Sequence, residues 1–414
     1  MLLNVDVAIR RLHGLVHAVG ECEEVDLADA HGRIVAETVP APVDLPPFDA
    51  SAMDGYAVDG AGLDGGHRKT WRVVDASLAG HPAKRTVSAG TAIRVFTGAV
   101  MPQGADAVVL QEDVAGDGGT VSSDVPVKPL QHVRRRGHDV RRGEPLCTAG
   151  TRLNTYHLSW LAACGIARVV VNRKVRVAVF STGDELAEPG APLGAGQIYD
   201  SNRFSVSMLL RQKAATVIDF GRLPDDRDAI RRTLRDASEA GDVVVTSGGV
   251  SVGEADYVKD VVAEVGHVDF WRIALKPGKP LAVGRIRDAL FFGLPGNPVS
   301  TIVTCLLFVA PAVDALGGTV PQSPLTFRAR MAEGVRHAAG RREYMRGTVR
   351  RTDDGLVVSI TGDQGSNRLA TFANANALVI IDEHSGDLAA GDWVDVLLLS
   401  ADAGHPVPAH ERSP

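Results

Sequence analysis

Apolar and polar positions change rhythm several times along this 414-residue chain. Residues 5–16 place Ile9, Leu12 and Val16 at helical spacing, with Arg10 and Arg11 on another face, which predicts an amphipathic opening helix. A short strand around Val25 and Leu27 follows, and four prolines between residues 39 and 47 then punctuate an extended segment suited to a linker. From residue 56 to about 145 the text alternates like β-strands, with WRVVDASLAG, TAIRVFTGAV and DAVVLQEDV separated by glycine and proline. A small β domain is expected there. Residues 154–164 form a second helix with Leu158, Leu161 and Ala162 on one face; it is expected to pack beside the first helix, which would make the β domain an insertion.

From Lys174 strands and helices alternate, the signature of a mostly parallel sheet. The runs VRVAVF, ATVIDFG, VVVTS and ALFFGL read as its strands, with another near Phe270, and a long apolar helix runs through Leu316. After about Thr319 the pattern turns β-like again, typical of a small barrel or sandwich, and AGHPVPAHERSP reads as a disordered tail. The expected divisions are 1–46 completed by 145–173, 47–144, 174–318, 319–403 and a tail from 404 to 414.

Composition narrows the classes. Hydrophobic content of 45% with 23% charged residues describes a soluble globular protein, and a net charge of −6 argues against general affinity for nucleic acid. No apolar run is read as approaching a membrane span, and Asp6 and Arg10 stand where a signal peptide would be apolar, so a cytoplasmic protein is expected. Cys22, Cys147, Cys164 and Cys305 lie far apart without a CxxC, which predicts buried reduced thiols rather than disulfides or a thiolate metal site.

Candidate chemistry gathers where strands end. In an open parallel sheet the loops leaving the carboxyl ends share one rim, where ligands bind. STGDEL, TSGGVSVGEAD and LPGNPVS are such loops; they carry turn-forming glycines, hydroxyls, a helix start and the carboxylates Asp184, Glu185, Glu254 and Asp256, with Lys276 and Lys279 of KPGKP nearby in sequence. Bare amides at Gly248 and Gly249 beside acids point to a polyanion with a divalent cation; the plain alternative is a tight strand-to-helix turn with a capping acid. Asp49, Ser51 and Asp54 crowd a polar loop that is either an Asx-type turn or a ligand contact, and Thr97 ends a strand where it either closes a hairpin or meets a ligand. Five arginines around Gly137 and Asp139 form either a solvated loop or a phosphate clamp. The rim therefore reads as a pocket for a phosphorylated ligand with Mg²⁺ between phosphate oxygens and acids. No thiol or Ser-His pair suggests covalent catalysis.

The ordered set FDASAMDGYAV, RVFTGAVMPQGADAVV, STGDEL, TSGGVSVGEADY, KPGKP, LPGNPVS and SNRLATFANANAL closely resembles the molybdopterin molybdenumtransferases, the family that includes the C-terminal domain of gephyrin. The resemblance implies insertion of molybdate into adenylylated molybdopterin with release of AMP and molybdenum cofactor, dependent on Mg²⁺. It implies a multidomain fold: an elongated N-terminal segment, an inserted small β domain, a doubly wound, mostly parallel α/β catalytic domain and a C-terminal β barrel. It also implies a homodimer, with the molybdopterin adenylyltransferase as a further partner and no role for nucleic acid or membrane. By motif, Asp184, Glu185 and Asp256 would position metal and nucleotide, with Glu185 and Asp256 as metal ligands. Gly248, Gly249, Pro295, Gly296 and Asn297 would shape the nucleotide pocket, and Lys276, Lys279 and Ser300 would attract molybdate, with Arg341 and Ser366 as further contacts. Asp54 and Thr97 would add catalytic groups from the inserted domain, and Arg134, Arg135 and Asp139 would meet the pterin phosphate side.

Two positions depart from the family pattern: His138 stands where glutamate is common, and Arg272 where lysine is frequent. A molybdopterin adenylyltransferase-like nucleotide enzyme and a non-catalytic scaffold of the same fold are the alternatives to an insertase.

Overall fold

The structure is a computed structural model that describes residues 2–61, 68–249, 257–320 and 324–399, apart from the side chain of Phe270. Glu254, Asp256 and the expected C-terminal tail lie outside the described residues. The chain divides into two compact units, one formed by residues 24–31 and 35–171, the other by residues 1–23, 32–34 and 172–414.

The first of these contains the expected β domain. Its sheet of six strands runs in the order Ala107–Leu110, Gly55–Val58, Thr91–Val95, Lys69–Ser77, Thr120–Ser123, Ala115–Gly116. Alternation sends Val58, Trp71, Ala92 and Val109 to one core, and Ala57, Ile93, Val95 and Val108 to another. Helix Thr155–Ala163 is capped by Asn154, whose side chain accepts from the amides of Tyr156 and His157. Its Leu161 joins a separate core with Ala41, Val140 and Leu146.

The other unit is built on a six-stranded sheet ordered Ala215–Leu223, Val175–Thr182, Val243–Ser247, Ala289–Leu294, Pro280–Ile286, His267–Arg272. Its first four strands are parallel, and Pro280–Ile286 alone runs against them, pairing antiparallel with both of its neighbours. Val177, Val179, Val243, Val245 and Phe292 face one layer, and Ala178, Phe180, Val244 and Phe291 the other, so the valine-rich strands are covered on both sides. Helices Arg227–Ala240 and Tyr257–Val265 pack on the second face through Ile230, Leu234, Val258 and Val261.

Two expectations change here. The opening helix Val5–His13 gives Val5, Ala8 and Leu12 to the core of the α/β sheet and does not join the core that holds Leu161. Its apolar stripe is satisfied by the sheet rather than by the second helix. The helical run Pro298–Leu316, 19 residues, is long and apolar enough to cross a membrane, contrary to the reading that no segment approaches that length. It is 78% buried inside the structure, with Val303, Leu307, Phe308 and Val313 in the sheet core, so its apolarity is matched by protein around it.

The C-terminal strands form a closed barrel. Arg342–Thr352 pairs with Gly355–Ile360 on one side and with Ala377–Ile381 on the other, and Thr326–Met331 and Trp393–Leu398 complete the ring. The two-residue strand Leu275–Lys276 adds to this barrel, parallel to Arg342–Thr352, and so carries the KPGKP loop from the α/β sheet onto the barrel edge. Among the cysteines Cys147, Cys164 and Cys305 are buried, as expected, whereas Cys22 is exposed. Burial pushes the Cys305 thiol up to about 12.

Candidate active site

The carboxyl ends of the parallel strands meet at one rim because small residues let backbones approach. At Gly248 (φ 88°) a side chain would run into the carbonyl of Thr182, and at Gly249 (φ 68°) into Val258. Gly296 lies against Gly248, where a Cβ would come within 3.9 Å of the Gly248 Cα. The amide of Gly248 donates to the carbonyl of Leu294 at 3.3 Å, and Asn202 Nδ2 donates to the carbonyl of Gly296 at 2.7 Å. STGDEL, TSGG, LPGN and the helix Asn202–Arg211 are thereby joined in one place.

KPGKP reaches the same place. At Gly278 (φ 115°) a Cβ would lie 2.8 Å from Thr304 and 3.7 Å from the carbonyl of Ser300, so the loop packs along the side of helix Pro298–Thr304. The barrel adds a further piece: the Val299 amide donates to the carbonyl of Ser366 at 3.0 Å. Asn297 is the N-cap and Pro298, which has no N–H to leave unpaired, occupies the first turn; the Asn297 side chain makes no capping bond and is exposed.

Three polar atoms at these strand ends are buried with no hydrogen-bond partner among the described residues: Thr182 Oγ1, Thr246 Oγ1 and Asn202 Oδ1. Buried hydroxyls normally find partners, so unpaired ones clustered where strands end mark a place for a polar ligand. None of the three was among the site residues expected from the sequence. Nor was Asp200, which is 1% exposed, accepts from Ser181 Oγ at 2.5 Å and is held by Arg203 Nε at 3.1 Å. That pair fixes the turn before Asn202.

Asp184 and Glu185 are exposed on the STGDEL loop. Asp184 exchanges backbone contacts with Asp225: its amide donates to Asp225 Oδ2 at 3.3 Å, and its Oδ1 accepts from the Asp225 amide at 3.2 Å. Glu185 folds back over Gly183, where an added Cβ would meet its carboxylate at 2.5 Å. The glycine thus makes a cradle for a carboxylate that faces solvent. All-oxygen donors of this kind suit Mg²⁺, which is usually held by one or two carboxylates together with substrate phosphates and water. Among the described residues no group of three or more His, Cys, Asp or Glu gathers; Glu254 and Asp256 lie outside them.

In the barrel, Arg346 is 1% exposed and works on the loop that carries Ser366. Its guanidinium donates to the carbonyls of Asp363 and Gly365 at 3.3 and 3.0 Å and to Thr371 Oγ1 at 2.9 Å, while its amide donates to Gln364 Oε1. Burial draws its pKa down from the usual arginine value, and the nearby Asp363 and Glu343 charges oppose that. Sequence reading chose Arg341 instead, a half-buried residue ahead of the strand. An arginine inside the otherwise apolar run YMRGTV was the available signal. Lys276 is ion-paired with Glu343 at 2.8 Å, Lys279 is exposed, and Ser300 and Pro295 are buried.

The remaining candidates belong to the other unit. Asp54 Oδ1 accepts from the Thr97 amide at 2.7 Å and from Thr97 Oγ1 at 2.8 Å, which holds its carboxyl below the ordinary range. These two residues therefore act on each other, tying a loop to a strand end. On the arginine loop Arg134 and Arg135 are exposed, whereas Arg136 pairs with Asp44 and Asp139 accepts from Trp160 Nε1 at 2.9 Å.

Profiles of known families match along the chain: the MoeA N-terminal region (domain I and II) over residues 3–165, a probable molybdopterin binding domain over 178–315, and the MoeA C-terminal region (domain IV) over 328–399. The molybdopterin molybdenumtransferase of Haemophilus influenzae is 40% identical over 398 residues, covering 95% of this chain and 98% of that protein. The chain belongs to the molybdopterin molybdenumtransferase family. Molybdopterin molybdenumtransferase 2 of Mycobacterium tuberculosis is 35% identical over 382 residues, covering 90% of this chain and 94% of that protein. A crystal structure of the molybdopterin biosynthesis moeA protein of Pyrococcus horikoshii OT3 superposes with a TM-score of 0.85 at 29% identity, covering 96% of this chain and all of that one. Matches to the molybdopterin molybdenumtransferases run through the N-terminal and C-terminal regions as well as the α/β domain, which disfavours the reading as a lone adenylyltransferase-like enzyme.

Proposed function

We propose that this chain is a transferase of molybdenum cofactor biosynthesis, inserting molybdate into adenylylated molybdopterin with release of AMP. The observation that carries this reading is the meeting of STGDEL, TSGG, LPGN, KPGKP and the Ser366 loop at helix Pro298–Thr304 and the strand ends before it, with Thr182 Oγ1, Thr246 Oγ1 and Asn202 Oδ1 buried and unpaired among the described residues. Its family membership supports the same reaction class.

In this reading each group has a task that its surroundings permit. Gly248 and Gly249 shape a turn open to phosphate oxygens, and the positive end of the dipole of the helix that starts at Pro298 attracts them. Thr182, Thr246 and Asn202 offer hydroxyl and amide groups to the pterin or nucleotide. Lys276 and Lys279 supply positive charge for molybdate, and Ser300 and Ser366 supply hydroxyls for its oxygens. Asp184 and Glu185, with Asp256 from the sequence motif, would hold Mg²⁺; when bound, the ion would neutralise charge on the phosphoanhydride.

The protein is further read as a cytoplasmic homodimer. The segment from 193 to 204 exposes Leu193, Ile198, Tyr199 and Phe204, apolar surface of the kind that a second copy covers. Light scattering of the purified protein checks the dimer.

Incubation of the protein with adenylylated molybdopterin and Mg²⁺ tests the reaction. AMP released on addition of molybdate supports the reading. An absence of turnover would favour a scaffold of the same fold, and AMP release indifferent to molybdate would favour a hydrolytic nucleotide enzyme.

A further inference from the structure

Beside the rim lies a buried polar chain that none of the tasks above uses. Glu343 is 2% exposed, near the start of the barrel strand Arg342–Thr352 and in register with Lys276 on the neighbouring strand. One carboxylate oxygen is 2.8 Å from Lys276 Nζ, and the other is 2.9 Å from His337 Nδ1. A carboxylate only accepts, so Nδ1 is the donor of this bond. The His337 side chain is 1% exposed, its amide donates to Asp387 Oδ1 at 2.8 Å, and its Nε2 is buried without a partner among the described residues. The imidazole is therefore anchored through its backbone and aimed at one target, Glu343.

A buried carboxylate is costly unless donors reach both oxygens. Here one donor, His337, is internal, whereas the other, Lys276, is 44% exposed and stands on KPGKP, the loop whose Gly278 packs near the Ser300 carbonyl. A lysine has four rotatable methylenes and no preferred direction of its own. An anchored carboxylate removes that freedom before any ligand arrives, and leaves the remaining N–H groups of the ammonium pointing elsewhere.

We infer that Glu343, braced by His337, is a positioning residue that sets the Lys276 ammonium for the incoming tetrahedral oxyanion. This rests on the reading of Lys276 as an oxyanion ligand. Glu343 does not touch the anion; its own charge would repel one. Its effect on the anion passes through Lys276.

A double-substitution cycle tests this, using the full chain and inorganic molybdate, with binding read by calorimetry, molybdate KM and kcat by AMP release, and melting in parallel. Lys276→Ala is expected to weaken molybdate binding about tenfold, the scale of one charge-assisted contact. Glu343→Gln is expected to weaken it by about fivefold to tenfold, mostly in KM. In the Lys276→Ala background the Glu343→Gln change should have no further effect. His337→Asn, which leaves the carboxylate in place but unbraced, gives the same non-additive pattern at smaller size and serves if Glu343→Gln does not fold. If Lys276→Ala alone leaves molybdate binding unchanged, the reading of Lys276 fails. If Lys276→Ala weakens binding while Glu343→Gln and His337→Asn do not, or if their effects multiply with it, the positioning role is overturned.

Discussion

The amide of Val299 donates a hydrogen bond of 3.0 Å to the carbonyl of Ser366. One residue sits in the first turn of a helix that is otherwise core, and the other in a loop of the C-terminal barrel. Helix starts leave amides without partners inside the helix. By using one of them, the barrel loop brings Ser366 beside the first turn of that helix.

Arg346 keeps that loop in shape, since its planar fork reaches the carbonyls of Asp363 and Gly365 together with Thr371. Arg346→Lys retains the charge but cannot span these acceptors. Turnover is expected to fall by about tenfold or more, with about 1–3 kcal/mol lost from stability as the loop carbonyls and Thr371 lose a charged donor. Steady-state kinetics and denaturant unfolding measure the two effects.

Thr182→Val and Thr246→Val separate ligand binding from folding by sign. A buried hydroxyl without a partner opposes folding, so replacing it by a methyl group is expected to leave stability unchanged or raise it by about 0.5–1 kcal/mol. If the hydroxyls face substrate, the KM for adenylylated molybdopterin rises about fivefold in the same variants. Two structural hydroxyls would instead show destabilisation with unaltered KM.

Gly183→Ala tests the cradle under Glu185. The new methyl group would occupy the space of the carboxylate, at a backbone φ of 148° that side chains rarely adopt. AMP release is expected to drop by about tenfold or more, and the Mg²⁺ concentration giving half-maximal rate to rise. Titration of the rate against Mg²⁺ reads both.

Away from the rim, Asp242 gives a pH signature. Burial pushes its carboxyl up, but hydrogen bonds from the Arg173 and Arg176 side chains and from the Arg176 amide outweigh this and hold it at about 2, against an ordinary 3.8. A carboxyl lowered by folding stabilises the native state above its unfolded value and loses that contribution as pH falls from about 3.8 toward 2. Asp242→Asn is therefore expected to cost about 1–2 kcal/mol at pH 7, after allowance for solvent screening of a partly exposed group. The gap to the unsubstituted protein should close as unfolding is followed downward through that interval.

Much of this was legible in the chain. Valine-rich runs ending in glycine gave the parallel strands and their rim, because burial on both faces demands apolar side chains and a sharp exit demands positive φ, as at Gly248. The KPGKP lysines and the helix start at Asn297 were equally visible. Thr182, Thr246 and Asn202 were not, since only the assembled structure shows that a hydroxyl lacks a partner. Arg346 was missed because its acceptors are carbonyls brought close by a loop turn. The opening helix was misplaced because an amphipathic stripe announces that it needs a partner and does not name it; Val5, Ala8 and Leu12 found the sheet.

Release of AMP from adenylylated molybdopterin, measured with Mg²⁺ in the presence and absence of molybdate, tests the central claim most directly. The account predicts that AMP appears on addition of molybdate and that Lys276→Ala shifts the molybdate concentration required. AMP formation at the same rate without molybdate, or none under either condition, would contradict it.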